Sequence, residues 1–213
     1  WGEFGDSHRT RGVRGGVRGG AGLSARAAPR QQSALDVIIS EVAWGGTIAS
    51  SADEWIELYN PSGSAIDLTG WSLNATDGTP SIVLSGTIPA GGYYLLERTD
   101  DNAVSDVPAD LFFTGALSNT VETLELRDDS SNLIDTANQG GSAWFAGTGS
   151  PDYFSMERIS VSPDSSIVWV DNNGVTINGL DALGNPLNGT PKQQNSTWTS
   201  YAALTIIINE VAW

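Results

Sequence analysis

The sequence predicts an all-β fold, an antiparallel sandwich or barrel, and three observations carry that reading. From Asp36 onward, short apolar runs rich in β-branched and aromatic residues alternate with clusters of Gly, Pro, Asn, Asp and Ser. Apolar and polar residues alternate in Glu54-Trp55-Ile56-Glu57-Leu58-Tyr59 and again over residues 121–127, which is the period of a strand. No segment keeps apolar residues at i, i+3, i+4 and i+7 for three turns, so no long helix is expected.

The first strand, 37–44, opens on the run Val37-Ile38-Ile39. The second, 54–59, carries the clearest alternation, makes Trp55 a core anchor, and stops at the Asn60-Pro61 turn. Strands at 71–74, with Trp71 as a second anchor, and at 81–84 flank the Asp77-Gly78 turn. Ala90-Gly91-Gly92 leads into the strand 92–98, rich in Tyr and Leu. In 122–127, Leu124 and Leu126 alternate with polar neighbours; runs at 132–137, 155–159 and 167–170 complete the set. Strands at this spacing, punctuated by turns, make a sandwich or a barrel.

The 213-residue chain has the length of one domain with flanks. It has no cysteine, which excludes disulfides, thiolate zinc sites and a cysteine nucleophile. Its single histidine, His8, lies in a Gly/Arg-rich stretch, which excludes a histidine metal cluster and argues against a Ser-His-Asp triad. No apolar run approaches the roughly 20 residues of a membrane helix, so no membrane insertion is expected. Residues 1–35 carry six of the ten basic residues against two acidic ones, while the remainder carries four basic and 23 acidic residues. So acidic a body repels phosphate backbones, and nucleic acid is not an expected partner for it. The basic segment 1–35 lacks a signal-type apolar stretch. It reads as a flexible arm, as an arm held by a neighbour, or as vector-derived sequence around Gly2-Glu3-Phe4. The expected organisation is this arm, a β domain over 36–196, and a linker with a repeated strand over 197–213.

Several motifs then point to a family. Ser40-Glu41-Val42, Glu54-Trp55-Ile56-Glu57-Leu58-Tyr59-Asn60, Leu68-Thr69-Gly70-Trp71 and Tyr94-Leu95-Leu96 occur in one order, and Asn185-Pro186-Leu187-Asn188-Gly189-Thr190-Pro191 closes the set. Over about residues 37–196 the chain resembles lamin tail domains of the bacterial, secreted kind. The resemblance implies an immunoglobulin-like β-sandwich without catalytic residues, extracellular or at the bacterial cell surface, serving structure or interaction. It does not extend to the coiled-coil rod of animal lamins, since no heptads are present. The competing reading is a glycan- or nucleic-acid-binding accessory module of a larger secreted protein.

Candidate chemistry is sparse. The carboxylates Asp53, Glu54 and Glu57, and the pairs Asp100-Asp101 and Asp128-Asp129, could in principle serve a glycosidase. Turn formation explains them as well, so no enzyme activity is expected. Asp100, Asp101, Asp171 and Asn173 supply oxygen ligands of the kind calcium takes, without the EF-hand spacing, and no other cofactor is implied. Among eight tryptophans, Trp144 lies between glycine-rich turns and is the candidate for stacking on a ligand. Three acceptor sequons, at Asn74, Asn188 and Asn195, read as accidental.

The most informative feature is a repeat. Residues 37–44 recur at 206–213 with six of eight positions identical: VIISEVAW against IIINEVAW. A tandem array of domains accounts for this, and so does donation of the second copy to a neighbouring molecule. In donation, Ile206, Ile207, Ile208, Glu210, Val211 and Trp213 form the assembly interface, with Ile207, Val211 and Trp213 on one face by strict alternation. The expected partner is a second copy of the chain or a neighbouring domain. Burying the apolar side chains contributes roughly 8–15 kcal/mol. Ordering the backbone costs about 8–16 kcal/mol, so the strand needs a preformed slot.

Overall fold

The alternating runs become two stacked sheets and a small ribbon in the computed structural model, which describes Trp1, Gly2, Gly5 and residues 33–199. The strands are β1 (Ile38–Ala43), β2 (Trp55–Tyr59), β3 (Ile66–Asp67), β4 (Ser72–Ala75), β5 (Ser81–Val83), β6 (Thr87–Ile88), β7 (Tyr93–Arg98), β8 (Leu111–Phe113), β9 (Leu124–Arg127), β10 (Leu133–Ala137), β11 (Met156–Arg158) and β12 (Trp169–Asp171). Among the described residues there is no helix. All the strands belong to the unit Gln32–Trp213; the chain's other unit is Trp1–Gln31.

The larger sheet has six strands in the order β12-β11-β1-β2-β7-β8, antiparallel except for the β7–β8 pair. The smaller, fully antiparallel sheet runs β10-β9-β4-β5, and β3 with β6 forms the ribbon. Ile39, Val42, Ile56, Leu58, Leu96 and Met156 face Trp71, Leu73, Ile82, Leu124, Leu126 and Ile134 in one apolar core. Two stacked sheets with this interior make a sandwich rather than a barrel. A register shift between Ile39 and Glu41 places Ile39 and Val42, three positions apart, on the same inner face.

All nine runs read from the sequence appear as strands, with ends shifted by one or two residues. The ribbon strands β3 and β6 and the short β8 were not expected. Two residues cannot show alternation, and Leu111-Phe112-Phe113 has no polar interruption.

Trp55 and Trp71 are both buried. Trp71 lies between the sheets as expected. Trp55 is a core anchor as well, but of a second apolar cluster, on the outer face of the large sheet, with Ala43, Leu95, Ala103, Val104 and Leu187. The large sheet is therefore covered on both faces, which is why every residue of β1 is buried.

Asn60 explains why a turn follows β2 so sharply. Its amide donates to the carbonyls of Ser64, Ile88 and Pro89, tying the turn to the ribbon. Its Oδ1 accepts the Ser62 N–H.

Candidate functional site

Alternation in β2 sends Ile56 and Leu58 inward and Trp55 and Glu57 outward. Pairing with the neighbouring strands then sets Glu41 opposite Glu57 on one side and opposite Glu157 on the other. Three carboxylates thus form one row across β11, β1 and β2, and all three are completely buried. Like charges facing each other across strands are destabilising unless something compensates.

Much of the compensation comes from a strap of chain that starts in the Asn188-Gly189-Thr190-Pro191 motif. The Thr190 N–H donates to Glu41 Oε1 at 2.8 Å, and its hydroxyl lies 2.9 Å from Glu41 Oε2 and 3.0 Å from Glu157 Oε1. Ser155 Oγ donates to Glu41 Oε1. Glu57 receives the Ser40 hydroxyl at 3.1 Å and the Lys192 N–H. Glu157 receives the Asn172 amide at 2.6 Å and both the N–H and hydroxyl of Ser196. Asn195 fastens the strap by donating to the carbonyls of Ser40 and Arg158, each at 2.8 Å. Trp198 ends it, edge-on to Tyr59 with centroids 5.6 Å apart.

Gly189 lets the strap approach so closely. A Cβ there would stand 2.7 Å from Trp55 Cζ2 and 2.9 Å from Glu41 Oε1. Burial, reinforced by Glu157, pushes the Glu41 carboxyl up to about 8. Burial, with Glu41 beside it, holds Glu57 well above the usual carboxylate range. The row is sealed by protein, so it offers no face to a substrate; its chemistry is that of a proton-holding structural core.

The other carboxylates read as candidates serve local structure. Burial raises Glu54 to about 7, although Arg98 lies 3.2 Å away and the Leu117 N–H donates to it. Asp53, raised by partial burial, accepts the Thr47 hydroxyl. Asp128 is held below its usual value by Asn132 and Ser130, although burial opposes them.

The calcium candidates do not converge. Asp100 and Asp101 follow β7 and Asp171 ends β12, with β11, β1 and β2 lying between those strands. Asp101 accepts the Ala109 N–H at 2.9 Å, and Asp171 the Gly147 N–H at 2.6 Å. Asn173 Oδ1 accepts the N–H groups of Val175 and Thr176, closing a turn. Among the described residues no three His, Asp or Glu side chains group to hold a metal ion.

Trp144 also corrects its expectation. It is loop-borne, yet only 9% exposed. Its ring lies parallel to that of Trp44 with centroids 6.0 Å apart, and its N–H donates to the Ser118 carbonyl at 2.7 Å. The flanking glycines point to exposure, whereas the ring is turned inward against Trp44.

Residues Ile206, Ile207, Ile208, Glu210, Val211 and Trp213 lie outside the described residues. What is described is the setting of the first copy: Val37 through Ala43 buried, Glu41 in the carboxylate row, and Trp44 against Trp144.

Sequence reasoning missed the carboxylate row and the buried Arg158. One signal was present: in β2 alternation gives Glu57 the same face as Trp55. A tryptophan is poorly placed in water, so that face had to be covered.

No curated protein matches the chain. The sequence profile of the lamin tail domain family matches residues 30–141, more than half of the chain, and the matched part contains β1 through β10. The protein belongs to the lamin tail domain family, a family of non-catalytic, immunoglobulin-like modules.

Proposed function

We propose that the chain is an extracellular structural module of bacterial type that joins further copies of its own domain, as an array or filament, through the strand at 206–213. The observation that carries this reading is the setting of Glu41. A generic strand has no use for a fully enclosed glutamate, because burying one without partners is costly. In β1 that glutamate is held by Ser155 and Thr190. The second copy repeats it as Glu210, with Trp213 in the place of Trp44. Such a segment is suited to a slot like that of β1, not to water.

β1 is paired on both sides, by β2 and β11. The second copy therefore either opens the sheet of a further domain or takes the β1 place in another molecule. Contacts of this head-to-tail kind are heterologous and propagate unless rotation closes a ring. An uncovered strand of this composition would invite uncontrolled pairing.

Light scattering tests the proposal. The full chain is expected to form concentration-dependent oligomers, and a chain ending at Thr199 to remain a folded monomer. The bulge in β1 puts Ile39 and Val42 on the inner face, so their counterparts Ile208 and Val211 are the residues to change. Ile208→Asp and Val211→Asp should each mimic the truncation. A full chain that stays monomeric at high concentration overturns the reading.

A further inference from the structure

Trp44 sits at the wall of an open cleft of about 390 Å³, whose lining also includes Ser51, Asn119, Gly149, Ser150 and Tyr153. That volume lies near the lower end of the roughly 300–1,000 Å³ of small-molecule sites. We propose that this cleft binds a neutral saccharide, with a sugar ring against Trp44 and its hydroxyls on the surrounding side chains.

The aromatic wall is fixed in advance. Trp44 is only partly buried, backed by the parallel ring of Trp144, and locked by its N–H donating to the Ala146 carbonyl at 2.9 Å. Gly147 makes this possible, since a Cβ there would fall 2.6 Å from Trp44 Nε1. Trp144 is in turn pinned to the Ser118 carbonyl, one residue before Asn119. The wall therefore loses little freedom when a ligand arrives.

The polar lining is uncommitted. Ser51, Asn119, Ser150 and Tyr153 make no side-chain hydrogen bond with any described residue. Four side chains carrying donors and acceptors thus line the cleft together with Trp44. An aromatic side chain in one lining with hydroxyl and amide side chains suits a pyranose, which has an apolar C–H face and a polar edge.

Charge selects the class of sugar. None of the described lining residues is charged, in a chain whose net charge is −15. Anionic ligands are repelled by the surrounding field, and a cationic ligand finds no carboxylate in the cleft. A neutral ligand remains.

Tyr153 adds an independent sign. Its φ is +51°, a conformation an aromatic residue adopts only when its surroundings impose it. The Tyr153 N–H donates to the Gly149 carbonyl at 3.0 Å, and the adjacent Phe154 N–H to Thr148 Oγ1 at 2.9 Å. These bonds hold the Tyr153 backbone in place at the cleft.

The saccharide reading does not require the assembly proposal, since every lining residue named here lies among the described residues. Cellotriose, maltotriose and chitotriose are the probes, titrated into the full chain by calorimetry and followed by amide and indole chemical shifts. Saturable binding of at least one, with shifts centred on Trp44, Asn119 and Tyr153, is expected. Asn119→Ala and Tyr153→Gly should each weaken it roughly five- to tenfold, the loss of one or two neutral hydrogen bonds. Tyr153→Gly relieves the left-handed strain, so a weaker affinity without a lower urea midpoint separates lost contact from lost folding. Absence of saturable binding by all three probes, or binding unchanged in both variants, overturns the proposal.

Discussion

Glu41 and Glu157 stand opposite each other across the β1–β11 ladder with a single hydroxyl, that of Thr190, within reach of both carboxylates. A hydroxyl has one proton to give and cannot satisfy two charged oxygens at once. A proton on Glu41 Oε2 resolves this: Glu41 donates to Thr190 Oγ1, which donates to Glu157 Oε1. Burial favours that state and pushes Glu41 up to about 8.

The first prediction is an inverted pH dependence. Glu41, Glu57, Glu54, Glu97 and Glu122 are all raised, chiefly by burial, with Glu54, Glu97 and Glu122 at about 7. In the unfolded chain they titrate near 4.3. Between that value and 8 the folded state binds more protons, so stability falls as pH rises. Asp67, Asp128 and Asp181 are lowered and act the other way, below about pH 4. Melting temperature at fixed ionic strength should peak near pH 5 and decline toward pH 8. A flat or rising profile over that interval would contradict the protonated row.

The second prediction isolates Glu41. A glutamine there keeps the shape, accepts from Ser155 and the Thr190 N–H, and donates its amide to Thr190 Oγ1. Glu41→Gln should stabilise the protein at pH 8, on the order of 1–3 kcal/mol, and have little effect at pH 5. Urea titrations at the two pH values measure the difference. Equal effects at both would place the proton elsewhere.

A third prediction concerns the closeness of the strap. Gly189 has no positive φ, so alanine suits its backbone and only the Cβ matters. That atom meets the Trp55 ring and Glu41 together, neither of which is a free side-chain end. Gly189→Ala should cost about 1–3 kcal/mol through overpacking. Gly63, with nothing within 4 Å of a built Cβ, is the control, and Gly63→Ala should be neutral or slightly stabilising. Matching urea midpoints for the two variants would show that the strap does not press on the sheet.

Period-2 alternation made the sheets legible in the sequence, because Ile56 with Leu58, and Leu124 with Leu126, recur at strand spacing against polar neighbours. The covering of the outer face was not legible in the same way. Glu57 beside Trp55 reads as a solvent-facing residue until the strap, over 130 positions later, is seen to supply its donors. Long-range closure of that kind leaves one indirect local trace, the tryptophan on the same face, and nothing that names the covering segment. Trp144 misled for the opposite reason: glycines mark where a loop turns, not which way its side chains go. The calcium candidates lie apart with backbone N–H groups as partners: Asn173 closes its own turn, while Asp101 and Asp171 reach to Ala109 and Gly147.

The last prediction concerns Arg158 and Asp135, an ion pair buried at the junction of the two sheets. Arg158 Nη1 lies 2.6 Å from Asp135 Oδ2, its Nη2 reaches Asp135 Oδ1 and the Thr136 carbonyl, and its guanidinium sits 4.9 Å from the centroid of Trp169. Asp135 also accepts the Ile39 N–H at 2.8 Å, so β10, β1 and β11 meet at one carboxylate. Burial outweighs the arginine here and leaves Asp135 raised, to about 6. Removing either partner strands a buried charge, and Arg158→Met or Asp135→Ala should each cost about 3–5 kcal/mol at pH 8. The double variant should cost clearly less than the two single losses together. The pH dependence distinguishes charge from packing. Without Arg158 only backbone donors such as the Ile39 N–H oppose desolvation, the Asp135 carboxyl rises further, and at pH 5 it folds as the neutral acid. The loss from Arg158→Met should therefore shrink as pH falls from 8 to 5. A loss of the same size at both pH values would assign Arg158 to packing against Trp169 rather than to pairing with Asp135.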